Sequence, residues 1–203
     1  MRQIHGGCSR SSPEARRALV AENVDVRQDP IQMLPYNPSW PHLFEREARR
    51  LRLALEPWLV EPVEHIGSTA VPGLVAKPII DMVAVVTDIG VADAVTEPLA
   101  EVGWIAAPEP SDSALRKLSF CTPSIERRTH HLHVVEQRSS AWHGWIAFRD
   151  HLRAHPALAV EYGALKSHLA DLLGSDPNDR DAYRSGKAAW IAATTEAAMN
   201  ASP

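Results

Sequence analysis

From Met33 onward the chain carries a helical hydrophobic period that the preceding residues lack. Residues 1–30 are rich in Arg, Ser, Gln and Asp with no sustained apolar repeat, which predicts a flexible tail, and residues 31–203 read as the folded domain. Asn37-Pro38-Ser39 supplies capping groups, after which Leu43, Phe44, Ala48, Leu51 and Leu55 recur at helical spacing. Glu45, Arg46, Glu47, Arg49 and Arg50 fill the solvated side, and Pro57 ends the helix. Val60–Ile66 predicts a short strand, followed by a Gly/Ser/Pro-bearing turn through Gly73. The nearly continuous apolar run Pro78–Val86 predicts a central strand. Ile89–Val102 reads as a surface helix with a turn or kink at Pro98. Gly103–Ala107 and Leu118–Cys121 are weaker strands, and His131–Glu136 alternates as a further one. Past Ser139 the period is helical throughout, over Ala141–Ala154, Ala157–Leu173 and Asp181–Met199. Strands mixed with helices first, then helices alone, predict an α/β (α+β) fold, a small mixed sheet with a C-terminal helical cap.

Composition narrows the classes of function. The 203 residues are 45% hydrophobic, enough for one ordinary core, with 21 basic and 25 acidic residues for a formal charge of −4. That balance argues against a broad grip on duplex nucleic acid or an anionic membrane, while leaving room for a small anionic ligand that needs only a few local cations. Cys8 and Cys121 stand in unrelated contexts, which fits a reduced, cytoplasmic setting better than a disulfide framework. No apolar stretch is long enough to span a bilayer, since the best candidate around Val83–Val86 is broken by Asp81 and Asp88. Internal repeats and low-complexity tracts are absent from the sequence.

Candidate chemistry concentrates between Glu64 and Asp81. A strand running into Gly67-Ser68-Thr69 leaves backbone N–H groups and two hydroxyls facing one concavity, which suits a phosphate; a Ser-capped turn is the plainer alternative. Asp81 lies inside an apolar strand, where a carboxylate is costly unless it is paired or binds a cation. Opposite the Gly67-Ser68 turn it would hold a divalent metal against phosphate oxygens, with Lys77 as a neighbouring cation.

The string Glu64–Gly73, then Lys77–Asp81, His131-Leu132-His133-Val134 and Phe148–Arg153 resembles the GrpB family, whose domain also occurs fused to dephospho-CoA kinase. The resemblance runs from about Met33 to the C-terminus. It implies a nucleotidyltransferase fold of the DNA polymerase β-like kind, in which a Gly-Ser turn holds a nucleoside triphosphate and strand acids bind magnesium. One departure stands out. The wider superfamily carries two acids in alternation on the strand, and here the position two after Asp81 is Val83.

Two histidines offer a replacement. On one strand, His131 and His133 project from the same face, whereas His130 falls on the other. With Asp81 they would make a site for zinc or another transition metal, or an acid/base pair, as an alternative to magnesium. Of Glu64 and His65 only one can reach the site, and His65 is preferred because it lies two positions before Gly67. In the helical half, Arg149 and Arg153 share a helix face, as do Tyr162 with Lys166 and Tyr183 with Lys187. Together they would line a cleft and hold phosphates, although each alone is equally a solvated side chain. With the resemblance supplying the reaction class, Asp81 and the Gly-Ser turn imply a metal-dependent nucleotidyltransferase-type enzyme acting on a small molecule with a nucleoside triphosphate as co-substrate. The alternatives are a non-catalytic nucleotide- or coenzyme-binding module, or a metal-dependent ligase, cyclase or hydrolase on the same scaffold.

Overall fold

Phe44, Ala48, Leu51 and Leu55 form the inward stripe of the first helix, α1 (Trp40–Leu55), as the period requires. The computed structural model describes residues 31–201; the predicted tail 1–30, with Cys8, lies outside the described residues. Ser39 occupies the N-cap of α1 without a side-chain bond, and it is Asn37 that uses its side chain, accepting from the Ser39 N–H at 2.9 Å. Strand β1 spans only Glu64–Ile66, shorter than Val60–Ile66. Leu59 and Val60 touch the far end of the next strand, and Pro62, with no N–H to donate, separates that contact from β1. The central strand β2 is Ile80–Val86.

A short 3-10 turn, Ile89–Val91, leads into α2 (Ala92–Glu101), which continues past Pro98. There follow β3 (Ile105–Ala106), a single-turn helix α3 (Asp112–Leu115) that the sequence pattern had not revealed, β4 (Lys117–Pro123) and β5 (Arg128–Glu136). The cap comprises α4 (Ala141–Ala154), α5 (Pro156–Leu173), α6 (Arg180–Gly186) and α7 (Ala188–Ala201). The single helix expected over Asp181–Met199 is thus two. Gly186 sits so close to Leu169 of α5 that a Cβ there would lie 2.7 Å from the leucine, and the chain turns at Lys187.

The sheet has five strands in the order β1-β2-β5-β4-β3, with β2 and β5 parallel and the other pairs antiparallel. This is the small mixed sheet with a C-terminal helical cap that the sequence predicted. Strand alternation gives its two faces different characters. Ile80, Met82, Ala84, Leu132, Val134 and Phe120 point to one face and pack under α1 and α2 with Trp40, Phe44, Leu51, Val95 and Leu99. The register Ile66–Asp81–His131 and Glu64–Val83–His133–Ser119 defines the opposite face. There Val83, Val85 and Val135 are covered by Trp142, Trp145 and Ile146 of α4, so the apolar end of the face is sealed and the end bearing Asp81 faces the cap. A second cluster, Val71, Leu74, Leu152, Ala159 and Tyr162 with Phe148 and Trp190, fixes the cap to the segment after the Gly67 turn. Trp142, Trp145, Phe148 and Leu152 thus serve packing, as their helical spacing implied.

Candidate functional site

Gly67 ends β1 with φ +70°, a conformation that favours glycine, and the chain enters a 3-10 turn over Ser68–Ala70. The Asp81 carboxylate occupies the space where a Gly67 side chain would go. Glycine is therefore required twice here, by the backbone angle and by the close approach. The turn is anchored from below by Thr69, whose hydroxyl donates to the Ile79 carbonyl at 3.0 Å and meets His65 Nε2 at 3.0 Å. Two arginines of α4 hold its ends: Arg149 Nη1 donates to the His65 carbonyl at 2.9 Å, and Arg153 Nε to the Ala70 carbonyl at 3.0 Å.

Beside the turn opens a cavity of about 290 Å³ lined by Ser68, Thr69, Asp81, Glu109, His131 and His133 on the sheet side and by Lys166, Tyr183, Arg184 and Lys187 on the cap side, with Lys77, Ile79 and Met33 completing the lining. Opposite charges face each other across it. On the sheet side, Asp81 Oδ1 accepts from His131 Nδ1 at 3.1 Å. Burial works to raise the Asp81 carboxyl, yet the His131 bond, the two imidazoles and Lys77 hold it below its usual range. Glu109, brought in by the loop between β3 and α3, pairs with Lys117 at 2.7 Å. Burial opposes its ionisation too, but His133 and Lys117 keep it at about 2. The His133 imidazole is held at about 4, first by burial and then by the Lys117 ammonium, so it is neutral at pH 7.

On the cap side, Lys166 Nζ donates to the Val75 carbonyl at 2.5 Å and lies 4.7 Å from the Tyr162 ring centroid. Burial and repulsion from Lys187 and Lys77 bring its ammonium down to about 7. Lys187 is lowered as well, by burial. Tyr183 stands between Lys77 and Lys187, whose ammonium nitrogens lie 5.4 and 5.1 Å from its ring, and burial pushes its hydroxyl up to about 12. Crowded cations of this kind are relieved when an anion binds among them.

Several sequence expectations change. His65 does not face the cavity: it pairs in register with Met82, stacks on Phe44 at 4.8 Å and is depressed to about 4, chiefly by burial. The alternation stops at Ile66, so counting back from Gly67 misassigned its face. Glu64 lies on the cavity face but is engaged by Arg149 at 2.6 Å. Arg149 and Arg153 do not line the cavity; both bind the turn and Asp150. Tyr162 is likewise outside the lining, stacked on Trp190 at 4.7 Å and hydrogen-bonded to Ser68, with its hydroxyl raised first by burial. Of the residues the sequence named, the structure brings together Gly67, Ser68, Thr69, Lys77, Asp81, His131, His133, Lys166, Tyr183 and Lys187, and it adds Glu109 and Arg184. Glu109 sits in a loop without periodicity, next to Pro108 and Pro110, and no local pattern marks it.

The donor set discriminates between metals. Among the described residues no three His, Cys, Asp or Glu side chains are grouped as a metal site, so Asp81, His131 and His133 do not assemble the trio that their spacing suggested. His133 turns Nδ1 to Lys117 and Ser119, at 3.4 Å each, and an ammonium beside a ligand atom repels a cation. Glu109 has the same ammonium at 2.7 Å and could join a cation only by exchanging Lys117 for it, which leaves Asp81 as the carboxylate that could hold a hard cation such as magnesium, with water and substrate phosphates completing the shell. Val83 is buried against α4 and leaves no room for a second acid on the strand.

No helix among the described residues is long and apolar enough to cross a membrane. The chain is 35% identical over 166 residues to the UPF0157 protein YqkA of Bacillus subtilis, covering 82% of this chain and 46% of YqkA, so it spans about half the length of that relative. It is 39% identical over 178 residues to a dephospho-CoA kinase of Mycobacterium bovis, covering 80% of this chain and 41% of the kinase. The crystal structure of the conserved protein GrpB from Enterococcus faecalis superposes with a TM-score of 0.73 at 33% identity, over 83% of this chain and 98% of that one. The family model described as GrpB protein matches residues 30–197, which include every residue lining the cavity. The chain therefore belongs to the GrpB family.

Proposed function

We propose that the cavity binds a nucleoside triphosphate with magnesium and transfers its nucleotidyl group to a small molecule. The observation that supports this reading best is the opposition of charges: Lys166, Lys187, Lys77 and Arg184 face Asp81 and Glu109 across one cavity beside the Gly67–Ser68 turn. Phosphoryl transfer asks the protein mainly for positioning and for neutralising charge spread over phosphate oxygens. In this reading Ser68 and the turn backbone hold a phosphate oxygen, and the lysines neutralise the phosphate chain. Asp81 holds the metal, with Glu109, once it exchanges Lys117 for the cation, in place of the second strand carboxylate.

One observation favours a second reading, a binding module without turnover. The place of the second strand acid is taken by Val83, sealed beneath α4, and Glu109 is already committed to Lys117. A single experiment separates the two: thermal stability with each nucleoside triphosphate and magnesium, on the wild type and on Asp81→Ala, together with assay for released pyrophosphate. Stabilisation of the wild type with pyrophosphate release that is lost in Asp81→Ala supports the transferase. Stabilisation without release supports the binding module. Absence of stabilisation by any triphosphate sinks both.

A further inference from the structure

His131 and His133 stand two positions apart on one face of β5, and their Nδ1 atoms meet opposite partners. His131 Nδ1 faces the Asp81 carboxylate at 3.1 Å, which only accepts, so this nitrogen carries a proton. His133 Nδ1 faces β4, where Lys117 Nζ and Ser119 Oγ both lie at 3.4 Å. The hydrogens of that cluster are already assigned. The Lys117 ammonium donates to Glu109 at 2.7 Å, Asp112 at 2.6 Å and Ser119 Oγ at 2.6 Å. Ser119 Oγ in turn donates to Asp112 at 2.8 Å. Ser119 Oγ keeps one lone pair, but a proton on His133 Nδ1 directed at it would lie equally close to the Lys117 ammonium, which repels it, whereas a lone pair there is attracted by the same charge. The imidazole is neutral, so its one proton sits on Nε2, at the far edge of a ring that lines the cavity and packs on Trp145 at 5.2 Å.

We propose that Lys117 fixes His133 as the Nε2–H tautomer, so that His133 donates a hydrogen bond to an acceptor oxygen of the bound ligand and does not serve as a base. The tautomer stands on the β4–β5 geometry and the neutrality of the ring; the identity of its partner as a phosphoryl oxygen rests on the function proposed above. Lys117 is then a positioning residue, acting on the ligand only through the imidazole. The two histidines of β5 divide their roles, His133 giving a proton to the ligand oxygen in a hydrogen bond and His131 giving its own to Asp81.

Long-range ¹H–¹⁵N spectra of histidine-labelled wild-type protein at pH 7 read the tautomer directly. A bare Nδ1 and a protonated Nε2 on His133 is the expected result, and an Nδ1–H or a cationic ring overturns the proposal. Calorimetry with magnesium tripolyphosphate tests the donor role. His133→Ala should weaken binding about tenfold, the worth of one hydrogen bond to a charged group. His133→Gln, whose amide N–H comes near the position of Nε2–H, should restore most of that loss. Equal loss in both variants overturns the donor role. If the wild type does not bind tripolyphosphate at all, the polyphosphate reading and the donor role fall together, while the tautomer is still decided by the spectrum.

Discussion

Gly67 and Asp81 share one volume: a Cβ added to the glycine would run into the carboxylate and lie 2.9 Å from the Asp81 Cβ and 3.0 Å from its Cγ. The turn expected to hold phosphate and the carboxylate expected to hold metal are therefore packed against each other. Neither can move without the other, and this fixes the geometry of the cavity on its sheet side.

Gly67→Ala incurs two penalties, a positive φ of 70° and the collision with Asp81. The expected loss of stability is about 1–3 kcal/mol by urea denaturation. The two penalties can be separated in part, because Asp81→Ala removes the carboxylate from the collision, though not the Cβ at 2.9 Å, and leaves the backbone angle untouched. In the Asp81→Ala background the cost of Gly67→Ala should shrink by about 1 kcal/mol, a coupling typical of residues in contact. Strict additivity of the two substitutions would contradict the shared volume.

The part of this site legible in the sequence is the part carried by local pattern. Asp81 interrupts an apolar strand, His131 and His133 alternate, and Gly67-Ser68-Thr69 follows a strand, so each announced its face or its turn before any fold was known. Lys166 and Lys187 were legible only as helix-surface cations, and the bend at Gly186–Lys187 that aims the latter depends on contact with Leu169, which spacing does not encode. Arg149 and Arg153 have the same i,i+4 signature as a phosphate clamp, but a guanidinium satisfies backbone carbonyls equally well, and here it does. Glu109 was illegible because its role comes from Lys117, eight residues on, across a turn and a helix.

Asp81 and Glu109 are expected to differ in what they contribute. Asp81→Asn keeps the shape, removes the charge opposite Lys166 and Lys187, and should abolish magnesium-dependent stabilisation by triphosphate in a thermal-shift assay. Glu109→Gln should reduce that stabilisation without abolishing it. It should also remove part of the protein's loss of stability toward acid. Glu109 is held at about 2 in the folded state against 4.5 in its ordinary state, so its contribution is complete above pH 4.5 and lost as pH falls toward 2. Urea titrations from pH 5 to pH 3 should show a shallower loss in Glu109→Gln than in the wild type. Equal slopes would mean that the Lys117 pair adds nothing to the fold.

Lys166 gives the opposite limb of the pH profile. Its folded value of about 7 lies below the ordinary 10.5, so between these values the unfolded chain holds the extra proton and stability rises with pH. From pH 7.5 to 9.5 the wild type should gain roughly 2 kcal/mol relative to Lys166→Met. Lys187 adds to the same trend. An anion bound among these lysines restores the ammonium, so binding of tripolyphosphate at pH 8 should take up a proton. Calorimetry in buffers of different ionisation enthalpy measures that uptake, and its absence in the wild type would show that the anion binds elsewhere.

Arg149 offers a test of whether the turn must be held from outside the cavity. Its guanidinium joins Glu64, the His65 carbonyl and Asp150, while Arg153 reaches the Ala70 carbonyl, so α4 grips both ends of the Gly67–Ala70 turn. The Arg149 side chain is only 8% exposed, and its loss leaves a buried carbonyl without its donor. Arg149→Met should cost about 2–4 kcal/mol in stability. Arg149→Lys should cost less but still fail to serve three acceptors, because an ammonium lacks the planar fork. Both variants should weaken tripolyphosphate binding, and by a factor that does not change with ionic strength, since the turn and not the charge is what is lost. A direct phosphate ligand behaves otherwise: its removal would leave stability nearly unchanged and flatten the salt dependence of binding, because one fewer cation then meets the anion.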